Sequence, residues 1–235
     1  VGWRGTFVVW GLLALAAGGF WLLAAPGRGR EVQPQATGLE KLVRDPVVWH
    51  SAAIFGIQSL IFYGATSWIP FELHAGGAGY LSVVLLALNL ANVPVGITLV
   101  SLSWSWATSR RFYALSATLL IAGTGGFALG WTGTAWLWAI LIGIGGSMGF
   151  CGAMALPAVF ARRSSEVAGF SALVLTVGYA ISFLGPFLGG VLVDGTHQTT
   201  SPFWLMTTAS AAMMLLGVTL PRRGVQESSP PLMEP

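Results

Sequence analysis

Apolar residues run along this chain in long stretches that carry no Asp, Glu, Lys or Arg. A helix needs about 20 mostly apolar residues to cross the hydrocarbon core of a bilayer. Within each stretch the apolar positions surround the predicted helix instead of forming one stripe, as burial in lipid or in a helix bundle requires. Seven stretches reach the necessary length, at 6–25, 47–70, 79–103, 112–130, 134–159, 168–193 and 200–220. The pattern predicts an all-α membrane protein with these seven transmembrane helices.

Two local motifs mark where predicted helices begin and end. Asp45 followed by Pro46 predicts the start of the second helix, because aspartate is a preferred N-cap and proline is favoured at the first helical position. The segment 112–161 contains no charged residue and no histidine, and it is long enough for two helices. Small and polar residues predict a turn between those two helices. They are Gly130, Trp131, Thr132, Gly133 and Thr134.

Composition agrees with a membrane location. The chain has 235 residues, of which 54% are hydrophobic and 8% charged, whereas soluble domains carry about 25% charged residues. So few charges exclude a soluble enzyme, a nucleic-acid-binding protein and a disordered chain. The single cysteine, Cys151, excludes an intramolecular disulfide and a multi-cysteine metal site. We expect no metal and no cofactor.

The basic residues predict the orientation of the helices. Ten of the eleven lie in alternate predicted loops or in the tail, and only Arg4 lies on the other side. Basic loops are enriched on the cytoplasmic side of membranes. We therefore expect a multi-pass protein of the cell membrane, with its N-terminus outside and its C-terminus in the cytoplasm. The ten residues are Arg28, Arg30, Lys41, Arg44, Arg110, Arg111, Arg162, Arg163, Arg222 and Arg223.

The longest predicted loop divides the chain into unequal parts. One helix, within 1–25, precedes a basic loop at 26–46, and six helices in 47–220 follow it before a tail at 221–235. The first apolar run is longer than the core of a signal peptide, and the basic cluster after it would stop transfer. This organisation favours the C-terminal part of a longer protein over a chain that begins with a signal peptide.

Several local motifs carry a family resemblance. They are GWRGTFVVWGLLAL from Gly2, LVRDPVVWH with IQSLIFYGATSWIP, GIGGSMGFCGAMALPAVF, and VGYAISFLGPFLGGVLVDGT. With these motifs the chain resembles the C-terminal half of the major facilitator superfamily, in its cyanate/nitroimidazole permease subfamily. The resemblance implies that the seven helices correspond to the sixth to twelfth of a twelve-helix fold. It also implies that the missing N-terminal half is a partner, and that Arg110 and Arg111 form a cytoplasmic loop motif, here with no acidic residue before them.

Polar side chains inside the predicted helices are candidates for a solute cavity. A buried amide or hydroxyl in a membrane must face the bundle interior or water, and in the family these helices line the central cavity. Hydrogen bonds that only hold the helices together remain the alternative role. The candidates are Gln58, Tyr63, Asn89, Asn92, Thr176, Tyr179 and Ser182. Close helix contacts and a proline mark a candidate hinge or gate. Its residues are Gly178, Gly185, Pro186, Gly189 and Gly190.

These observations favour a secondary transporter, not an enzyme, that moves a small solute by alternating access. Neutral donors can bind a small anion without a fixed charge, and the resemblance implies cyanate as one candidate. A retinal protein is excluded, because the single lysine, Lys41, lies in a predicted loop. An intramembrane protease is disfavoured, since Ser182 has no histidine at its depth. A non-transporting heptahelical receptor or scaffold remains the alternative.

Overall fold

The computed structural model describes residues 3–24, 39–101, 106, 108–161 and 163–221. These residues form helices, short 3₁₀ turns and connecting segments, and none of them forms a strand. The helices are α1 (Trp3–Ala24), α2 (Leu39–Val43), α3 (Pro46–Glu72), α4 (Gly77–Leu90), α5 (Asn92–Ser101), α6 (Arg110–Ala128), α7 (Ala135–Phe160), α8 (Val167–Thr196) and α9 (Ser201–Val218). The all-α class predicted from the sequence is therefore confirmed.

Some predicted features lie outside the described residues. The loop predicted at 26–46 is described only from residue 39 onward, and the tail predicted at 221–235 only at residue 221. Five of the basic residues that predicted the orientation fall in the undescribed part, namely Arg28, Arg30, Arg162, Arg222 and Arg223.

Within the described residues, six helical segments are long and apolar enough to cross a membrane. They are Arg4–Ala24, Pro46–Glu72, Gly77–Thr98, Thr132–Phe160, Val167–Thr196 and Ser201–Val218. Helix α6 occupies the position of the span predicted at 112–130, but it is not one of the six. It begins with Arg110 and Arg111 and contains several Gly, Ser and Thr residues, which lower its mean hydropathy. A seventh membrane helix therefore stays a prediction.

The chain divides into two compact units, residues 1–35 and 36–235. In the first, α1 is a single apolar helix whose described side chains are almost all exposed. In the second, α3 and α7 form the centre. Most residues in the apolar parts of these two helices are buried, whereas Gly77–Thr98 and Val167–Thr196 are largely exposed. Helix α3 packs against α7, α8 and α9, while α7 also contacts α4, α5 and α6.

Glycine allows α6 and α7 to approach closely. A Cβ atom at Gly123 would lie 2.8 Å from the backbone oxygen of Trp138 and 3.0 Å from the backbone nitrogen of Ile142. Those distances are shorter than any ordinary carbon contact, so the backbones meet where a side chain has no room. Only two residues later, a Cβ atom at Gly125 would meet nothing within 4 Å.

Polar contacts at the helix ends are local, and several follow from the sequence. Asp45 Oδ1 accepts a hydrogen bond from Val47 N at 2.9 Å, which confirms the predicted N-cap of α3. The turn predicted between α6 and α7 is also present, with Gly130 in the left-handed region at φ 72°. That conformation costs glycine little, because it has no Cβ.

Tyr80 holds the start of α7 from a neighbouring helix. Its hydroxyl donates to Thr132 O at 2.7 Å and accepts from Ala135 N at 3.1 Å. Ala135 N also bonds to Thr132 O in the preceding 3₁₀ turn, so the Tyr80 hydroxyl adds a second contact to both groups. Tyr80 therefore ties α4 to the beginning of α7.

Two side chains bind the carbonyl groups at the end of α9. His50 Nε2 lies 2.8 Å from Leu216 O in the last turn of α9, and Arg110 Nε donates at 2.9 Å to Leu220 O, two residues beyond the end of α9. Carbonyl groups at a helix C-terminus lack partners within the helix, and a cation there is favoured by the helix dipole. The first turns of α3 and α6 are thus connected to the end of α9.

Candidate functional site

A cavity of about 260 Å³ lies where α3, the start of α5 and α7 meet. Helix α3 contributes four neighbouring lining residues, α7 contributes three, and α5 contributes its first residue. None of these lining residues is charged. They are Gln58, Ser59, Phe62, Tyr63, Asn92, Gly146, Ser147 and Phe150.

Gln58 is the best-defined polar group of this cavity. It is only 3% exposed, and its Nε2 donates to Gly146 O at 2.9 Å. Its Oε1 accepts from Ser59 Oγ at 3.1 Å. Because a backbone carbonyl can only accept, the nitrogen side of the amide must face Gly146. No second acceptor for Gln58 Nε2 lies among the described residues.

Aromatic rings form much of the remaining wall. The ring centroids of Phe62 and Tyr63 lie 6.0 Å apart with an edge-to-face orientation, and Phe150 lies on the α7 side. Tyr63 is 44% exposed, so its ring is accessible at the surface of the described structure. The cavity thus combines apolar contact with a few neutral donors and acceptors, as small-molecule sites commonly do.

Three of the seven predicted cavity residues line this cavity, namely Gln58, Tyr63 and Asn92. Asn89 does not, although Asn89 and Asn92 are three residues apart and would share a face of one regular helix. Helices α4 and α5 meet at Ala91, whose backbone stays in the right-handed helical region and whose N–H bonds to Ala87 O. Asn89 is exposed, and its Nδ2 donates to Leu85 O of its own helix at 2.8 Å.

The three predicted residues on α8 also lie away from the cavity. Thr176 and Tyr179 are exposed, and Ser182 is buried with its Oγ donating to Tyr179 O at 2.8 Å. The Tyr179 ring packs edge-to-face on Phe55, with the centroids 5.3 Å apart. Helix α8 buries one narrow stripe. Its members are Phe170, Val174, Gly178, Ser182, Gly185 and Gly189.

Sequence reasoning missed five lining residues. They are Ser59, Phe62, Gly146, Ser147 and Phe150. Phe62 follows Gln58 by four residues and Phe150 follows Gly146 by four, so each pair shares a helix face. The spacing from Gln58 identifies Phe62, but no sequence pattern shows which face of α7 meets α3.

The predicted hinge residues lie in a helix that the structure shows as continuous. Helix α8 runs from Val167 to Thr196 with Pro186 inside it. Trp68 of α3 covers Gly189 and Gly190, and its Nε1 donates to Pro186 O at 3.3 Å. This cluster therefore packs tightly on α3, and a hinge or gate role stays a prediction.

The predicted arginine pair divides into two environments. Arg110 is partly buried and bonded to Leu220 O, whereas Arg111 is exposed.

Within the part of the chain that the structure describes, no group of three or more His, Cys, Asp or Glu residues has metal-site geometry.

Comparison with known proteins identifies the family. The model of the Major Facilitator Superfamily matches residues 1–183, which is well over half of the chain. The chain belongs to the major facilitator superfamily. This is a family of transporters, which agrees with the expectation that the chain is not an enzyme.

Individual relatives of this major facilitator chain are distant. It is 27% identical over 222 residues to the uncharacterized transporter YycB of Bacillus subtilis, covering 92% of the chain and 54% of that protein. It is 24% identical to the 2-nitroimidazole transporter of Escherichia coli, covering 74% of the chain and 45% of the relative. The cyanate transport protein CynX of E. coli is also 24% identical, with 93% and 56% covered.

The chain therefore spans about half the length of the curated relatives that it matches. No solved structure matches it with significance.

Proposed function

We propose that this chain is the second half of a secondary transporter that moves a small solute by alternating access, with an anion such as cyanate as one candidate. The cavity between α3, α5 and α7 carries this proposal, because it combines one oriented amide, further neutral polar groups and three aromatic rings with no charged lining residue. Such a site binds through hydrogen bonds and ring contact, and it does not need a fixed opposite charge.

The solute class is supported by the two relatives whose names state a substrate. Cyanate and 2-nitroimidazole are small and carry hydrogen-bond acceptor atoms. A cavity of about 260 Å³ accommodates molecules of this size. In this proposal the side-chain amides of Gln58 and Asn92, which both line the cavity, are the groups that such acceptors meet.

In this proposal α6 also crosses the membrane, which brings the number of membrane helices to seven. Its two arginines, Arg110 and Arg111, then lie at the cytoplasmic surface. The alternating positions of the basic residues then place the N-terminus outside and the C-terminus inside the cell membrane. Helix α1 is the last helix of the first half, the segment around 26–46 is the central cytoplasmic loop, and residues 47–220 form the second half.

The proposal also assigns a partner, the first half of the same transporter. Secondary transporters place the solute site between two related halves. The match to only about half of each relative supports this arrangement. The apolar segments Gly77–Thr98 and Val167–Thr196 also support it, because they bury little of their surface within the described structure and could contact the first half. Rocking of the halves would involve the glycine contacts of α8 around Pro186.

Uptake of labelled cyanate by liposomes tests the proposal. We expect uptake by the protein with both halves and none by this chain alone. In the two-half protein, Asn92→Ala should raise KM about tenfold, because it removes a cavity hydrogen bond worth about 1.4 kcal/mol. Asn89→Ala is the matched control, since the same change three residues earlier lies outside the cavity.

Three outcomes would contradict the proposal. Uptake by the chain alone would show that a first half is not needed. Equal effects of the two asparagine substitutions would contradict the position of the site. No uptake of any small solute by the two-half protein would favour the alternative of a non-transporting membrane protein.

A further inference from the structure

Helix α6 exposes a single stripe whose first residue is an arginine. Its exposed positions follow one another at intervals of four, three and four residues, which is the spacing of one helix face. They are Arg111, Leu115, Thr118 and Ala122. The Thr118 hydroxyl donates to Ala114 O of its own helix at 2.8 Å, so it adds little polarity to this face. The stripe therefore has a cationic end and an otherwise apolar length.

Helix α9 packs against α6 and carries a second exposed stripe, in which no residue is charged. Its positions are Trp204, Thr208, Ala211, Leu215 and Val218. The start of α6 lies beside the end of α9, because Arg110 Nε donates to Leu220 O just beyond that end. In the sequence, Arg222 and Arg223 follow Leu220 after a single proline. Both stripes therefore end at a pair of arginines.

The two arginines of α6 keep their charges unpaired. Within the described residues, neither Arg110 nor Arg111 forms an ion pair, whereas the Arg44 guanidinium is paired at 2.7 Å with a carboxylate. Arginine carries five N–H donors, and Arg110 uses only Nε–H, toward Leu220 O. The Nη atoms of Arg110 are not among the buried atoms without a partner, so they are accessible at the surface. The bond at Nε thus fixes the guanidinium and leaves its outer N–H groups free.

We propose that this end of α6 binds the phosphate of an anionic phospholipid, with Arg110 and Arg111 as donors and the apolar stripe as the surface for an acyl chain. A guanidinium binds phosphate oxygens through parallel N–H bonds. Basic groups between membrane helices on the cytoplasmic side commonly bind anionic headgroups. The site is separate from the cavity, to which neither α6 nor α9 contributes a residue. This inference rests on the proposed crossing of the membrane by α6.

Two observations favour a lipid over a free phosphate ion. A free ion needs only the arginines, whereas a lipid also needs an accessible apolar surface that continues from them. Leu115, one helical turn after Arg111, is 45% exposed and provides that surface. Trp106 precedes α6, is 38% exposed, and packs edge-to-face on Phe112 with the ring centroids 5.0 Å apart. Tryptophan is enriched at the level of lipid headgroups, so it marks the depth at which a phosphate would meet the arginines.

Lipid titrations of the 235-residue chain in a mild detergent test the inference. Native mass spectrometry gives Kd for phosphatidylglycerol and for phosphatidylcholine with the same acyl chains. We expect the unsubstituted chain to prefer phosphatidylglycerol, and Arg110→Gln and Arg111→Gln each to raise its Kd about fivefold. Arg44→Gln is the matched control, because it removes the same charge from an arginine that is already paired. It should change Kd less than twofold.

The two α6 variants differ in how safely they fold. Arg110 also holds Leu220 O, so circular dichroism must verify that Arg110→Gln keeps its helices. Arg111 is exposed and makes no such bond, so Arg111→Gln tests the site even where the first variant does not fold.

Three results would overturn the inference. Equal binding of the two lipids would show that the headgroup charge is not recognised. Equal effects of Arg44→Gln and Arg111→Gln would show that only the net charge of the chain matters. Displacement of phosphatidylglycerol by an equal concentration of inorganic phosphate would identify a site for free anions instead of a lipid.

A thiol-labelling experiment tests the membrane crossing separately. In a Cys151→Ser background, Leu115→Cys in nanodiscs should be protected from a water-soluble maleimide. Labelling would contradict the crossing of α6, and the inference with it. Protection without any preference for phosphatidylglycerol would overturn the inference alone. Neither measurement involves solute uptake, so a failure of transport would contradict the proposed function and leave the lipid site unaffected.

Discussion

The close approach of α6 and α7 predicts a large difference between two alanine substitutions that are chemically identical. Gly123→Ala places a methyl 2.8 Å from Trp138 O and 3.0 Å from Ile142 N. These are backbone atoms, which cannot turn aside as the end of a flexible side chain can. Gly125→Ala, two residues along the same helix, places its methyl in open space.

The magnitude follows from comparing the two variants directly. Replacing glycine by alanine within a helix gains up to about 1 kcal/mol from backbone entropy. This gain is similar at the two positions, so it cancels in their difference. What remains is the overpacking at Gly123, which costs about 1–3 kcal/mol in a well-packed interior. Gly123→Ala should therefore be about 1–3 kcal/mol less stable than Gly125→Ala.

Unfolding of the chain in mixed micelles measures this difference. The chain in a mild detergent is titrated with sodium dodecyl sulfate, and helix content is followed by circular dichroism. The free energies of unfolding of both variants are compared with that of the unsubstituted chain. Equal stability of Gly123→Ala and Gly125→Ala would refute the close backbone contact between α6 and α7.

Two further matched pairs can be measured by the same titration. The Tyr113 hydroxyl is buried with no hydrogen-bond partner among the described residues, so Tyr113→Phe should be neutral or stabilise the chain by up to about 1 kcal/mol. Tyr80→Phe should destabilise it by about 1 kcal/mol, because it removes the two hydrogen bonds that tie α4 to the start of α7. The opposite order of the two tyrosine variants would contradict both environments. Arg110→Met should cost about 1 kcal/mol through the lost bond to the end of α9, whereas the exposed Arg111→Met should change stability by less than about 0.5 kcal/mol. Equal losses for the two arginines would contradict that bond.

Much of the fold was predictable because lipid imposes simple rules on sequence. Each long apolar stretch had to be a helix, since the backbone must satisfy its own hydrogen bonds inside a bilayer. The cap at Asp45 and the turn at Gly130 were predictable for a similar reason, as they depend on residues next to each other in the chain. The count of membrane helices was harder, because α6 combines two arginines with small polar residues.

The candidate site was predictable only in part. Polarity at hydrocarbon depth selected Gln58 and Asn92, which line the cavity, and equally selected Asn89 and Tyr179, which do not. Asn89 is exposed, and its side-chain amide bonds to Leu85 O of its own helix, which polarity at this depth does not reveal. For Tyr179 the prediction failed because α8 buries only one stripe, and this side chain lies outside it.

The sequence by itself determined the helices, their approximate ends and the family, because all three depend on runs of residues that are local in the chain. Tertiary structure alone decided which faces of those helices meet. The sequence of an apolar helix in lipid does not show which face contacts another helix, since lipid and protein interiors are equally apolar. The contact between the Gln58 amide and Gly146 O therefore depends on the packing of α3 against α7, which no local run of residues specifies.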